Sequence, residues 1–212
     1  MKIRYIGKSF GFDSLTDGKT YVAVEDEGMY RVIDDSDEDY LYSKINPAPL
    51  DGSISGGKWE IVEQKDKIRK AERIDIIFLA SLASLPEVGG GNEEELREDF
   101  RQLLDSEKDL VAVAEFSGKV VGFANIRLRS EYVAGTKSSP VAYLEGIAVS
   151  EEFRGKGIAK KLFEFCADWA KEKGCTEFGS DCLLTNEASY AFHMALGFKE
   201  IERTIHFAKT IE

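Results

Sequence analysis

Arg154-Gly155-Lys156-Gly157-Ile158-Ala159 lies between an apolar run and a segment of helical periodicity, so its glycines fall at a strand-to-helix turn. Glycines there let backbone N–H groups turn together towards an anion, and the helix N-terminus adds its positive dipole. Arg154, Lys156, Lys160 and Lys161 place four cations within eight residues. A pyrophosphate ligand accounts for glycines and cations together, while a plain chain reversal with lysines solvating a helix accounts for the spacing equally well. Neither G-x-x-x-x-G-K-[ST] nor G-x-G-x-x-G is present. Upstream, Glu145 stands in the otherwise apolar run 141–149, where an unpaired carboxylate is costly to bury. It either pairs with an arginine or faces a cleft where a cation arrives. Asp181 closes a later strand, and either caps the loop near Thr185 or contacts a ligand.

The rest of the composition narrows the chemistry. The chain has 212 residues, enough for one large or two small domains. Twenty-eight Lys and Arg against thirty-nine Asp and Glu give a net charge of −11, which argues against nucleic acid and favours attraction of small polycations. No apolar stretch approaches the roughly 20 residues of a membrane span. Met1 to Phe10 carries no apolar signal core, which predicts a cytoplasmic protein. Cys166, Cys175 and Cys182 form no C-x-x-C, and His193 and His206 are the only imidazoles, so neither a disulfide scaffold nor a Cys/His metal site is expected. Cys175 and Cys182 read as strand-edge packing. The acidic run Asp34 to Asp39 lacks the glycine of a calcium loop, because Tyr40 stands there, and reads as a solvated hairpin tip.

The elements that must position these residues change in kind near residue 64. Before it, short β-rich runs at Lys2–Ile6, Thr20–Glu25, Met29–Ile33, Tyr40–Ser43 and Trp59–Val62 alternate with turns such as Asp17-Gly18, Glu27-Gly28 and Asp51-Gly52. Five such strands can close into a small barrel resembling the Src-homology-3 type, with Val22, Val24, Tyr30, Val32 and Tyr42 as its core. This is expected to be one domain, 1–64. From 65 to 212 the class is α/β with a mixed sheet. Helices are predicted over Ile74–Leu85 and Glu93–Asp105, and a hairpin over Leu110–Phe116 and Val120–Leu128. A strand over Val141–Val149 follows, then a helix with Ile158, Leu162, Phe165, Cys166 and Trp169 on one face. A strand over Thr176–Cys182, a helix from Asn186 to Leu196 ended by Gly197, and a last strand over Glu200–Lys209 complete the pattern.

With the elements in place, the R-x-x-G-x-A loop, the strand Tyr143-Leu144-Glu145-Gly146-Ile147-Ala148-Val149 and the pattern from Asn186 to Leu196-Gly197-Phe198 resemble the Gcn5-related N-acetyltransferase superfamily. Ser130-Glu131-Tyr132-Val133, Ser138-Ser139-Pro140, Lys173-Gly174-Cys175-Thr176-Glu177, Ser180-Asp181 and His193 narrow the resemblance to aminoglycoside 6′-N-acetyltransferases. Leu85–Asn92 departs from that pattern, carrying Pro86-Glu87-Val88-Gly89-Gly90-Gly91 where the family often has Trp and His.

The resemblance implies an enzyme that moves the acetyl group of acetyl-CoA to a primary amine, the 6′-amine of an aminoglycoside, in the manner of antibiotic resistance. It implies that Arg154, Gly155, Lys156, Gly157, Ile158 and Ala159 hold the pyrophosphate of acetyl-CoA. Backbone groups of Ile147 and Val149 then align its pantetheine arm, and Asn186 bonds that arm unless it only caps a helix. Glu145 and Asp181 fall at the amine site. Tyr132 is placed to stack on a sugar ring, or packs as an ordinary aromatic. His193 stands where many relatives put a tyrosine that bonds the leaving sulfur, or is structural. Acceptors other than aminoglycosides, namely polyamines or protein amines, remain open, as does a non-catalytic acyl-CoA sensor. Relatives of this kind commonly pair, and a terminal strand would offer an edge for a homodimer.

Overall fold

The computed structural model describes residues 1–10, 14–47, 56–63, 66–86, 88–210. The expected turn at Asp51-Gly52, the 64/65 boundary and Glu87 of the departing loop lie outside the described residues. The first part is a five-stranded antiparallel sheet of β1 (Lys2–Ile6), β2 (Thr20–Asp26), β3 (Met29–Ile33), β4 (Asp39–Tyr42) and β5 (Lys58–Glu63) in the order β4-β3-β2-β1-β5. Its core gathers Ile3, Tyr5, Leu15, Tyr21, Ala23, Tyr30, Val32 and Tyr42, with Trp59 edge-on to four tyrosines at 5.6–6.4 Å.

β2 corrects the expected core. Tyr21 and Ala23 face inward, so the alternation of a strand sends Val22 and Val24 to the other side. Val24 is fully buried there, against Ile74, Val113, Val120 and Phe123 of the second part. An uninterrupted apolar strand is one buried on both faces. The backbone N–H of Glu25 also bonds the Gly118 carbonyl at 2.9 Å. The hairpin tip differs too: Asp34 is buried and accepts from the Tyr42 hydroxyl at 2.5 Å, and Asp35 accepts from Thr16, Lys19 and Tyr21. These two acids tie the sheet together, and only the tip beyond them is solvated.

The second part is a mixed sheet in the order β10-β9-β8-β7-β6, built from β6 (Lys67–Lys70), β7 (Asp109–Phe116), β8 (Lys119–Arg129), β9 (Val141–Val149) and β10 (Phe178–Ser180). Only β9 and β10 run parallel. α3 (Ile158–Glu172) covers one face with Ile158, Leu162, Cys166 and Trp169 on Leu110, Ala112, Ala124, Ile126 and Leu144. α1 (Ile76–Ala83) and α2 (Glu93–Leu104) cover the other, with Leu79 and Phe100 on Val111, Val113 and Phe123. The Asn92 side chain accepts from the N–H groups of Glu94 and Glu95 and starts α2. Asn186 does the same for α4 (Glu187–Ala195) through Ser189.

Two expectations fail by length or place. The strand over Thr176–Cys182 shortens to Phe178–Ser180, because β10 meets β9 at three positions only. Glu200–Lys209 forms no ladder, and Ile201, Ile205 and Phe207 stand 57%, 78% and 91% exposed. Its alternating apolar residues suit a strand, but among the described residues it pairs with none, although β10 stands as the outer strand of the second sheet. β6 was not predicted: Lys67-Ile68-Arg69-Lys70 looks like a charged linker, yet Arg69 bonds Glu115 at 2.9 Å and Asp75 at 2.6 and 2.9 Å. The Met1 amine reaches Glu115 from the first part at 2.5 Å.

Candidate active site

The site forms where β9 and β10 part. Their parallel ladder runs Phe178–Ala142, Gly179–Tyr143 and Ser180–Leu144 and stops, while β9 continues to Val149 paired to β8. Among the described residues, the other backbone edge of 145–149 has no strand partner. The break coincides with a bulge: Asn125 pairs Gly146 and Ile126 pairs Leu144, leaving Glu145 as the extra residue. A bulge bends its strand and re-aims a side chain. Glu145 is thus exposed at the mouth of the splay, and Ile147 and Val149 lie along the edge that leads away from it.

That edge ends at the glycine loop. Gly155 and Gly157 hold φ of +74° and +75°, the left-handed region where only glycine is unstrained. A Cβ built on either meets nothing within 4 Å, so the loop faces open space. Gly157 begins α3 with no side chain capping it, so Ile158, Ala159 and Lys160 supply the first-turn N–H groups that a helix cannot satisfy internally. Arg154 donates from Nε to the Val149 carbonyl at 2.9 Å, fastening loop to strand. The Lys156 ammonium stands 4.6 Å over the Phe153 ring. Donors, dipole and cations together suit a pyrophosphate.

The two carboxylates at the other end are linked through Arg129 and Tyr143. Glu145 takes three hydrogen bonds of 2.8–3.1 Å from Arg129, so of its two expected readings the pairing with an arginine is the one seen, at an exposed position. Asp181 follows β10 directly and accepts from the Tyr143 hydroxyl at 2.6 Å rather than capping the loop at Thr185. Burial, then the bond to Asp181, push the Tyr143 phenol well above its ordinary value, so it stays a donor. Gly179 makes room for this ring: a Cβ there would sit 2.6 Å from Val133 Cγ1 and 2.9 Å from Tyr143 Cδ2. Sequence reasoning missed Arg129 and Tyr143. The available signal is the end of β8, where Ile126 and Leu128 pack on the core and Arg127 and Arg129 take the opposite face.

His193 turns inward. Its Nδ1 donates to the Ser189 carbonyl at 2.7 Å, its Nε2 lies 2.8 Å from Ser180 Oγ, and Ser180 bonds the Leu144 carbonyl at the splay. The ring reaches an external sulfur only by giving up Ser180. Tyr132, at 84% exposure, is unpacked and leads a loop whose Lys137 and Ser138 N–H groups donate to Glu177. Asn186 is occupied with its cap. Cys175 is buried, whereas Cys182 is exposed and not packed as expected. Among the described residues, no cluster of His, Cys, Asp and Glu suits a metal ion, and no helix is long and apolar enough to cross a membrane.

This geometry has counterparts. Aminoglycoside N(6′)-acetyltransferase type 1 of Serratia marcescens is 41% identical over 122 residues, 57% of this chain and 84% of that protein. The enzyme of the same name from Acinetobacter baumannii is 44% identical over 115 residues, 54% and 79% of the two chains. The crystal structure of an aminoglycoside 6′-N-acetyltransferase from Acinetobacter haemolyticus superposes with a TM-score of 0.65 at 34% identity, covering 69% of this chain and 99% of that one. An aminoglycoside N-acetyltransferase in complex with CoA gives 0.65 at 33% identity, covering 70% and 97%. The acetyltransferase (GNAT) family model matches residues 76–198, which spans the splayed strands, the glycine loop and the capped last helix, and the chain belongs to that family.

Proposed function

We propose that this protein transfers the acetyl group of acetyl-CoA to a primary amine of a polycationic small molecule, the 6′-amine of an aminoglycoside. The observation that carries this reading is the free backbone edge of 145–149, which joins an uncapped glycine loop to a pair of carboxylates. Acetyl-CoA supplies the activated thioester carbonyl. The chain supplies anion-binding N–H groups at Gly157–Lys160, a strand edge at Ile147 and Val149 to align the arm, and Glu145 and Asp181 to draw the ammonium in. One carboxylate, directly or through a water, accepts the amine proton so that the nitrogen can attack. Tyr132 stacks on a sugar ring of the acceptor, and His193 reaches the leaving sulfur by releasing Ser180.

Thiol release measured with kanamycin, spermidine and lysine peptides tests the assignment. Turnover confined to kanamycin supports it, and turnover confined to spermidine or peptide replaces the acceptor. Coenzyme binding without turnover on any amine makes the chain an acyl-CoA sensor. The second acceptor class is kept by the loop before α2, where Gly89 and Gly90 close back on the Leu85 carbonyl instead of offering the family's aromatic residues.

The finer organisation belongs to the same proposal. Residues 1–64 form a Src-homology-3-like barrel, a reading supported by strand order and by the enclosed core around Trp59, and residues 65–212 form the acetyltransferase domain. The enzyme works in the cytoplasm as a homodimer, with Ile201, Ile205 and Phe207 covered by a second copy.

A further inference from the structure

The acceptor site holds a cation that has no part in binding a polycation. Arg129 donates from Nε and Nη2 to Glu145, and its guanidinium carbon lies 3.3 Å from the centre of the Tyr143 ring. Tyr143 in turn holds Asp181. A single arginine therefore fixes one carboxylate by hydrogen bonds and steadies, by stacking, the ring that fixes the other.

Two carboxylates without a cation would draw an ammonium in and then hold its proton. A protonated nitrogen has no lone pair with which to attack. Arg129 offsets one of the two charges, yet a carboxylate offers about four acceptor sites, so Glu145 keeps capacity for the amine. The neighbouring charges do not remove the need for it. Arg127, also on β8, is committed to Asp109 of β7 at 2.8 Å. Glu131, in the loop after β8, adds another negative charge facing Arg129, Arg127 and Lys108. Tyr143 and Glu145 of β9 and Asp181 after β10 complete the surroundings.

We propose that Arg129 is a positioning residue that lowers the proton affinity of the reacting amine, a proposal that rests on the acetyl-transfer reading above. The test is the pH profile of kcat for kanamycin acetylation by the full chain, since kcat reports ionisations in the bound complex. Arg129→Met removes the cation and is expected to move the ascending limb to higher pH by about one unit. A loss of about tenfold at neutral pH then shrinks as pH rises, with KM unchanged or lower. Glu145→Gln removes the opposing charge and is expected to move the limb to lower pH. Arg129→Lys keeps the charge but not the planar fork, so kcat falls while the limb stays in place.

Opposite displacements in the Met and Gln variants bear the proposal out. A profile depressed equally at every pH in Arg129→Met, or displacement of both variants in one direction, overturns it. Should Arg129→Met fail to melt cooperatively, the other two decide. An unmoved or raised limb in Glu145→Gln, or a moved one in Arg129→Lys, overturns it. A wild-type chain that binds acetyl-CoA and acetylates no amine overturns the acetyl-transfer reading and this proposal with it, a result distinct from any of the variant profiles.

Discussion

Glu145 and Asp181, the carboxylates proposed to meet the amine, come from two different elements, one at a bulge in β9 and one at the end of β10. Asp181→Asn and Glu145→Gln are each expected to lower kcat/KM by about one to two decades, the range of a lost charge-assisted hydrogen bond of ~1.5–3 kcal/mol. Acetyl-CoA affinity by calorimetry should hardly change, because the loop proposed to take the pyrophosphate lies at the far end of the strand edge. Wild-type efficiency in both folded variants would make the carboxylates structural. These two residues were legible in the sequence because a carboxylate inside an apolar run, or at a strand end, calls for a reason. Arg129 and Tyr143 were not: an arginine at the end of a strand and a tyrosine within one are ordinary until cross-strand register brings them together. His193 was legible as a position, but the inward turn of its ring depends on Ser180, thirteen residues away.

At the scale of elements, the loop between β9 and α3 depends on two left-handed glycines. Gly157→Val is expected to weaken acetyl-CoA binding through backbone strain at φ +75° and through a side chain set among the amides. Unchanged calorimetric affinity in a folded variant would remove the pyrophosphate from this loop. Glu115 on β7 makes a second test. Burial alone would raise its carboxyl, but hydrogen bonds from the Met1 amine and Arg69, with their charges, outweigh burial and hold it below the ordinary 4.5. A depressed carboxylate contributes stability that is fully present above 4.5 and lost as pH falls through its lower native value. Urea midpoints should therefore drop on acidification below that point, and Glu115→Gln should be less stable at neutral pH with a flatter acid dependence. Long periodic elements such as α3 and β9 were legible almost to the residue. β6 was not, because three of its four side chains are charged and its ladder partner β7 lies some forty residues away in sequence. The last strand was legible as a pattern that forms no ladder among the described residues.

For the whole molecule, the exposed Ile201, Ile205 and Phe207 lead to a prediction about assembly. Sedimentation equilibrium should give a dimer mass, and Ile205→Asp with Phe207→Asp should shift it towards the monomer. A concentration-independent monomer in the wild type would refute the pairing.

β2 has a consequence for how the molecule comes apart. With Ala23 in one core and Val24 in another, this strand cannot leave either without opening both. The chain carries two tryptophans, Trp59 among the tyrosines of the first core and Trp169 of α3 in the core on the far side of the second sheet. Each can therefore report on its own end of the molecule. In Trp169→Phe and Trp59→Phe variants, fluorescence followed through urea should trace transitions that coincide once corrected for each variant's stability, the mark of a single cooperative unit. β2 amides should exchange with deuterium only as slowly as global opening allows. Separated midpoints would mean that the strand peels from one core while the other stays shut.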